Sequence, residues 1–370
     1  MRGQVLFVPS NGVGLGHVGR LLAVARRLDA KIPAVFASLS PALHAIQSFG
    51  FLTEYIPSHH YLGGDHSHWD QWLNFEIGAL LEEYDAGLLV YDGNNPTPGL
   101  IAAARSRNCK LAWIRRGMWG TATSTSLDYS DRFDLIVEPG ELAESRDGGA
   151  TAARKDETVA VDPIRLLDEE ELLPRDAAAR DLGLDTSRPA VLIQLGSGFN
   201  RDTLGLTSRI IDHLRTCDGL QIVIADWLVD AGAIAPWDDV KVVRGFPLAQ
   251  YFRAFDFSIS AAGYNTFHDV ISYALPTLFI ANRHPSMDDQ AGRAKFAQDH
   301  SAAFEMSEDD LGDLPQLLQL FLNEKAREFL RQRCVQIARP NGAKAAAREL
   351  EGLLSGKSTP ARAGRLLLSS

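Results

Sequence analysis

The sequence predicts an α/β protein of two tandem, doubly wound parallel-sheet domains, and three observations carry the prediction. Apolar runs of strand length alternate with segments of helical periodicity from the first residues onward, the pattern of strands joined by crossover helices. The alternation breaks once, between about 139 and 161, where the chain turns polar and glycine-rich (Gly148, Gly149, Arg154, Lys155), and then resumes. At 370 residues the chain is too long for one ordinary core and suits two. The expected divisions are an N-terminal domain over 1–158, a C-terminal domain over 159–355 and a flexible tail over 356–370, with the interruption as the interdomain linker.

Residues 5–8 form the first strand, and a helix follows over 19–28, where Leu21, Leu22, Ala25 and Leu28 share one face. Strands at 34–37, 87–91, 111–114 and 135–137 complete the first series. The second series has strands at 191–195, 222–225, 241–243, 257–261 and 277–281, with helices at 203–214 and 288–298 among them. Residues from about 311 to 354 are helical. Two such domains in tandem lead us to expect ligands at the carboxyl ends of the strands, in a cleft between the domains.

Composition narrows the partners. Lys and Arg total 37 against 47 Asp and Glu, a formal net charge of −10. That surface repels nucleic acid, and no basic stripe with interleaved aromatics offsets it. Cys109, Cys217 and Cys334 are far apart and form no CxxC pair, so neither a disulfide framework nor a zinc knuckle is expected and a cytoplasmic setting fits. The apolar run at 5–8 ends at Pro9, too short for a signal-peptide core or a membrane span. No stable membrane insertion is expected. For the tail, with its Gly, Ser, Pro and scattered basic residues, disorder is the expectation, and contact with anionic lipid at the inner face of a membrane is the alternative.

The stretch 258–290 carries most of the chemistry. A short apolar strand runs into Ala262 and Gly263, where a helix opens through Tyr264, Asn265 and Thr266 and carries Asp269. Unpaired backbone N–H groups and the positive dipole end at a helix start favour an anion, and a glycine there admits a phosphate close to the main chain. Asp269 is suited to sugar hydroxyls, as are Asp289 and Gln290 after the next strand; an Asp near a helix start also serves merely to stabilise the dipole.

Near the N-terminus, SNGVGLGHVGR places Gly12, Gly14 and Gly16 before His17, directly after the first strand. Formally this satisfies GxGxxG, but the acidic residue that a dinucleotide site needs about 20 residues on is missing, since the second strand runs into Ser38, Leu39 and Ser40. A loop histidine at the strand ends can act as a general base at neutral pH; the alternative is a histidine that only orders its loop. Asp92, in VYDGNN at another strand end, is placed to orient or charge His17, or to cap a turn. Gln194-Leu195-Gly196-Ser197-Gly198 follows a buried strand and allows close backbone approach to phosphate or sugar. Arg115, Arg116 and Trp119 follow a further strand and are candidates to line the acceptor side. His59, His60, Asp65, His66 and His68 crowd one segment with Tyr61 and Trp69; their spacing matches no standard zinc motif, and a solvated, mobile acceptor loop is expected. The bulky residues of 59–72, with Trp113 and Trp119, are expected to supply amphipathic surfaces that hold an acceptor and exclude water.

The order strand, glycine turn, acidic helix, Leu275-Pro276, strand, Asp289-Gln290 resembles the nucleotide-sugar half of GT-B glycosyltransferases, above all the peptidoglycan N-acetylglucosaminyltransferase family. In that family a glycine-rich loop before a histidine occupies the place of Gly14, Gly16, His17 and Arg20 here. Asp162-Pro163-Ile164-Arg165 resembles the family's Asn-Pro-Val-Arg; the resemblance implies that Arg165 faces the donor diphosphate, with a surface arginine as the alternative. Gly196, Ser197 and Gly198 resemble its Gly-Gly-Ser loop, and Phe246, in Gly245-Phe246-Pro247, takes the place of an apolar contact to uracil. The match at Gly263, Thr266, Asp269, Leu275 and Pro276 implies that Asp269 binds ribose. The resemblance further implies a last helix that crosses back onto the N-terminal domain, and inverting transfer of a sugar, with N-acetylhexosamine the family's choice, from a UDP-sugar to a hydroxyl of a small-molecule, natural-product, lipid or glycan acceptor. No metal or other cofactor is expected. The GxGHxxR stretch also resembles UDP-sugar hydrolases of nonulosonic acid biosynthesis, which activate water instead. A non-catalytic nucleotide-sugar binding protein is the third reading, disfavoured by the presence of both half-sites.

Overall fold

The computed structural model describes residues 3–10, 15–196, 201–225 and 237–357, without the side chains of 121–124. The chain forms two compact units. The first runs to Glu141, resumes over Gly148–Leu166 and takes up the chain again from Asn341; the second comprises Leu142–Asp147 and Leu167–Pro340.

The first unit holds a seven-stranded parallel sheet in the order β3-β2-β1-β4-β5-β6-β7: β1 Gln4–Pro9, β2 Ala34–Ser38, β3 Leu52–Tyr55, β4 Ala86–Asp92, β5 Lys110–Ile114, β6 Leu135–Pro139 and β7 Val159–Val161. Its helices are α1 Gly16–Ala25, α2 Leu43–Gln47, α3 His59–Leu62, α4 His66–Glu83 and α5 Pro98–Ser106. The central strands are buried on both faces, which is why they read as unbroken apolar runs. Strand order reverses between β1 and β4, whose registers end at Pro9 opposite Asp92. An open α/β sheet has its ligand crevice at such a switch point, beyond the carboxyl ends of the strands.

The second unit has a six-stranded parallel sheet in the order β10-β9-β8-β11-β12-β13: β8 Ala190–Gln194, β9 Gln221–Ala225, β10 Lys241–Val243, β11 Phe257–Ser260, β12 Thr277–Phe279 and β13 Phe304–Glu305. Helices α6 Arg175–Asp181, α7 Thr203–Leu214, α8 Tyr264–Ser272, α9 Gln290–Asp299, α10 Leu314–Leu322 and α11 Glu324–Ile337 accompany it. Here the reversal falls between β8 and β11. One face carries Val191, Ile193, Phe257, Ile259 and Leu278 into a core shared with α7 and α10, where Phe321 stacks on Phe257 with ring centroids 4.9 Å apart. Each such side chain contributes roughly 1.5–3 kcal/mol by leaving water.

The final helix, α12 Ala343–Leu354, belongs to the first unit and packs on α1 and on β5 to β7. Its approach needs a glycine: a Cβ at Gly342 would lie 1.9 Å from the carbonyl oxygen of Asp162. Gly342 N donates to Pro163 O at 2.9 Å, and the Asn341 amide pairs with both the N–H and the carbonyl of Arg165.

The expected linker needs correction. Residues 148–166 belong to the first unit, where β7 adds an edge strand to β6; the chain passes to the second unit after Leu166, and the short segment 142–147 already packs within it. The polar residues that suggested a linker flank a three-residue strand with no fully buried position. The histidine-bearing segment is also not a loop. It forms α3 and the start of α4, with Asp65 as N-cap accepting from Ser67 N and His68 N, while Trp69, Leu73, Ile77 and Leu81 bury at helical spacing. Trp113 and Trp119 are likewise core residues, at 0% and 2% exposure, and offer no surface to an acceptor.

Candidate functional site

At the switch point of the first unit, α1 follows β1 in the chain. Gly12 and Gly14 lie outside the described residues; Gly16 opens the helix and His17 sits in its first turn, across from Asp92 at the end of β4. His17 Nδ1 lies 2.6 Å from Asp92 Oδ1. Arg20, one turn further along α1, donates from Nε to Asp92 Oδ2 at 2.9 Å and from Nη2 to Oδ1 at 2.7 Å. Asp92 and Arg20 are buried, at 1% and 3% exposure, whereas His17 keeps 15% of its side chain accessible.

Burial pushes the Asp92 carboxyl up, yet Arg20 and the hydrogen bond from His17 outweigh it and hold the group below its ordinary value. An ionised carboxylate accepts only, so His17 donates from Nδ1 and carries its lone pair on Nε2. For His17 itself burial is the largest influence and lowers the pKa; Asp92 raises it, Arg20 and Arg116 lower it again, and the net shift is downward from 6.5. The result is an imidazole with a fixed tautomer and its basic nitrogen unprotonated at neutral pH, which is the state a general base requires.

Arg115 plays no comparable part. Fully buried, it bonds Ser130, Glu157 and the carbonyl of Arg154, and so braces the segment after β5. Arg116 acts on His17 through its charge. Among the described residues no group of three or more His, Cys, Asp or Glu side chains is placed to hold a metal ion, the histidines of α3 and α4 included.

At the switch point of the second unit, Gly263 is the N-cap of α8 with φ −62°, a conformation open to any residue. A Cβ there would meet only Gln290 Nε2, at 3.9 Å. Among the described residues nothing therefore demands glycine at 263, and its small size leaves the helix start uncovered by them. Asn265, Thr266 and Asp269 share the half-exposed face of α8, while Tyr264, Phe267, His268, Val270 and Ile271 are buried. Asp269 stands in the second turn, beyond the reach of a simple dipole role.

Gln194 ends β8 and turns its amide to this helix start, with Nε2 3.4 Å from Thr266 Oγ1 and Oε1 buried without a partner among the described residues. Gly196, at φ +93°, needs glycine for its left-handed backbone; Ser197 and Gly198 lie outside the described residues. Gln290 uses Oε1 to accept from Asn282 N, and Asp289 caps α9 by accepting from Gly292 N at 2.8 Å while staying exposed. Phe246 is half-buried after the edge strand β10. Arg165 belongs to the first unit, half-buried and clamped by its backbone to Asn341.

Two arginines that the sequence did not single out brace the chain just after β8 and β11. Arg201 donates to the carbonyl of Leu195 at 2.6 Å and pairs with Glu308 at 2.9 Å. Arg293, fully buried, pairs with Asp288, donates to the carbonyl of Ala262 and lies 5.7 Å from the ring centroid of Tyr264, so the start of α9 holds the Gly263 turn.

The uncrowded helix start makes a test possible. Gly263→Ala should cost about 1 kcal/mol of stability, since glycine is preferred to alanine at an N-cap even where the backbone is unstrained. The added methyl should weaken binding of a nucleoside diphosphate measured by calorimetry. Unaltered affinity would remove the anion from this turn.

No protein-family model matches the chain, and no curated protein matches it. Solved structures do. MurG of Acinetobacter baumannii is 15% identical over 94% of this chain and 99% of its own, with a TM-score of 0.59. The spinosyn forosaminyltransferase SpnP is 13% identical over 96% and 100%, at 0.65. The spinosyn rhamnosyltransferase SpnG, complexed with thymidine diphosphate, is 15% identical over 94% and 100%, at 0.61. These likenesses establish the GT-B fold for the whole described architecture.

Proposed function

We propose that the chain is an inverting, metal-independent glycosyltransferase that moves a sugar from a UDP-sugar to a hydroxyl of an acceptor. The observation that carries this reading is the His17–Asp92 pair, with Nδ1 held 2.6 Å from a buried carboxylate at the first unit's switch point. In the proposed reaction His17 takes the proton from the acceptor hydroxyl as that oxygen attacks the anomeric carbon. The bond from that carbon to the diphosphate oxygen breaks with inversion, and UDP departs with the electron pair. Backbone N–H groups at the start of α8 stabilise the departing anion, a role that a metal ion fills in other transferases.

The cradle suits such a donor. The helix start, the orphaned Gln194 Oε1 beside Thr266 and the carboxylate of Asp269 together offer donors for an anion and acceptors for hydroxyls. The fold is shared with MurG and with the spinosyn transferases, and one of these was captured with a nucleoside diphosphate. No described helix is long and apolar enough to cross a membrane.

Mass-spectrometric screening of nucleotide sugars, with and without candidate acceptors and in the presence of chelator, tests the proposal. Glycosylated acceptor and UDP should appear together, with little free sugar when no acceptor is present. Rapid stoichiometric release of free sugar and UDP in buffer alone, insensitive to every acceptor, would identify a hydrolase on the same scaffold.

Donor binding can be read separately. Asp269→Ala should weaken UDP binding in chelator by roughly 10- to 100-fold, because hydrogen bonds to a charged carboxylate are worth about 1.5–3 kcal/mol. Absolute dependence of binding on magnesium would refute the metal-free cradle.

A further inference from the structure

We infer that Arg20 is a positioning residue of this base: its guanidinium clamps both oxygens of Asp92 and, through that carboxylate, fixes His17 with the proton on Nδ1 and the lone pair on Nε2. The inference rests on the reading of His17 as the base.

The geometry separates clamp from ligand. Nε and Nη2 of Arg20 engage Oδ2 and Oδ1 in the paired, planar arrangement that a guanidinium makes with a carboxylate. His17 and Arg20 are three residues apart on α1, so both reach Asp92 from one helix face. The clamp settles a choice of protonation. A carboxyl group buried without a counter-charge tends to hold its proton. A protonated Asp92 would donate to Nδ1 and move the ring proton to Nε2, which leaves Nε2 without its lone pair. With Arg20 in place Asp92 is ionised, and only the productive tautomer satisfies it.

Arg20 also sets the charge around the ring. Among the described residues the charged groups that act on His17 are Asp92 from β4, Arg20 from its own helix and Arg116 from the segment after β5. A carboxylate alone stabilises an imidazolium. Arg20 Nη2 also stands 2.9 Å from Nδ1, so a proton added to the ring places positive charge beside the guanidinium. The carboxylate orients the ring while the guanidinium cancels its tendency to hold a proton there.

Arg20→Gln and Arg20→Lys in the full-length chain test this. The His17 imidazole is followed by heteronuclear NMR across pH, its signals assigned by their loss in His17→Gln. In Arg20→Gln the titration midpoint should move upward and the Nε2–H tautomer should appear. Arg20→Lys keeps the charge without the fork, so its midpoint should stay near wild type while the tautomers mix. Turnover of either variant should fall by roughly 10²-fold, as a misplaced base does, with UDP affinity unchanged. A folded Arg20→Gln protein with wild-type midpoint and tautomer would overturn the inference, and should that variant not fold, an unmixed wild-type tautomer in Arg20→Lys does the same. The titration needs no substrate. A chain that transfers no sugar defeats the functional reading and leaves the Arg20 result standing.

Discussion

His17→Ala is expected to lower turnover by roughly 10²–10⁴-fold, the usual contribution of a positioned general base. Binding of UDP should barely change, because Gly263, Thr266 and Asp269, the residues proposed to hold it, lie in the other unit. The pH profile supplies a second readout. A base works unprotonated, so the wild-type rate rises as His17 loses its proton; with its pKa held below 6.5 by burial, the acid limb should lie below that value. This limb should vanish in the alanine variant. Linkage adds a stability counterpart: the folded protein releases the His17 proton more readily than the unfolded chain, so the site's contribution is complete above 6.5 and is lost as pH falls toward the folded value. A variant that turns over normally would reduce His17 to a residue that orders its loop.

The sequence made the centres of both sheets legible and left three of their four edges obscure. β1, β4, β8 and β11 are buried on both faces and cannot be mistaken for anything but interior strands. The three strands that escaped notice, β3, β7 and β13, are all at sheet edges, where half-exposed residues such as Thr53, Glu54 and Glu305 break the apolar run. The Gly263 turn and His17 were readable because each follows such a central strand directly. Their supports were not. Arg201 and Arg293 are charged residues, for which a linear reading assumes solvent; Arg20 stood out only as a motif residue, and its pairing with Asp92 spans a separation of 72 residues. The same assumption misplaced Arg115, which is buried in a network with Ser130 and Glu157. Trp113 and Trp119 erred in the opposite direction: large amphipathic rings suggested an acceptor surface, yet Trp113 directs its indole N–H to the carbonyl of Gly93 and packs against Phe133 inside the core.

Asp92→Asn is expected to destabilise the protein by roughly 3–5 kcal/mol, the cost of leaving one member of a buried ion pair uncompensated. Size is not the cause, since the two side chains are nearly isosteric. Three donors converge on Asp92, namely Nε and Nη2 of Arg20 and Nδ1–H of His17. An amide offers one oxygen and a donor of its own, so at least one of the three must face an N–H, and the guanidinium loses its counter-charge in a site only 3% exposed. Denaturant unfolding measures the loss, and a midpoint equal to wild type would show that the pair is not buried as described. The paired variant Arg20→Met/Asp92→Leu separates stability from chemistry: removing both charges together should restore most of the unfolding free energy, as replacement of buried ion pairs by apolar residues commonly does. Turnover should stay low in it, because His17 then has no carboxylate to hold its proton on Nδ1.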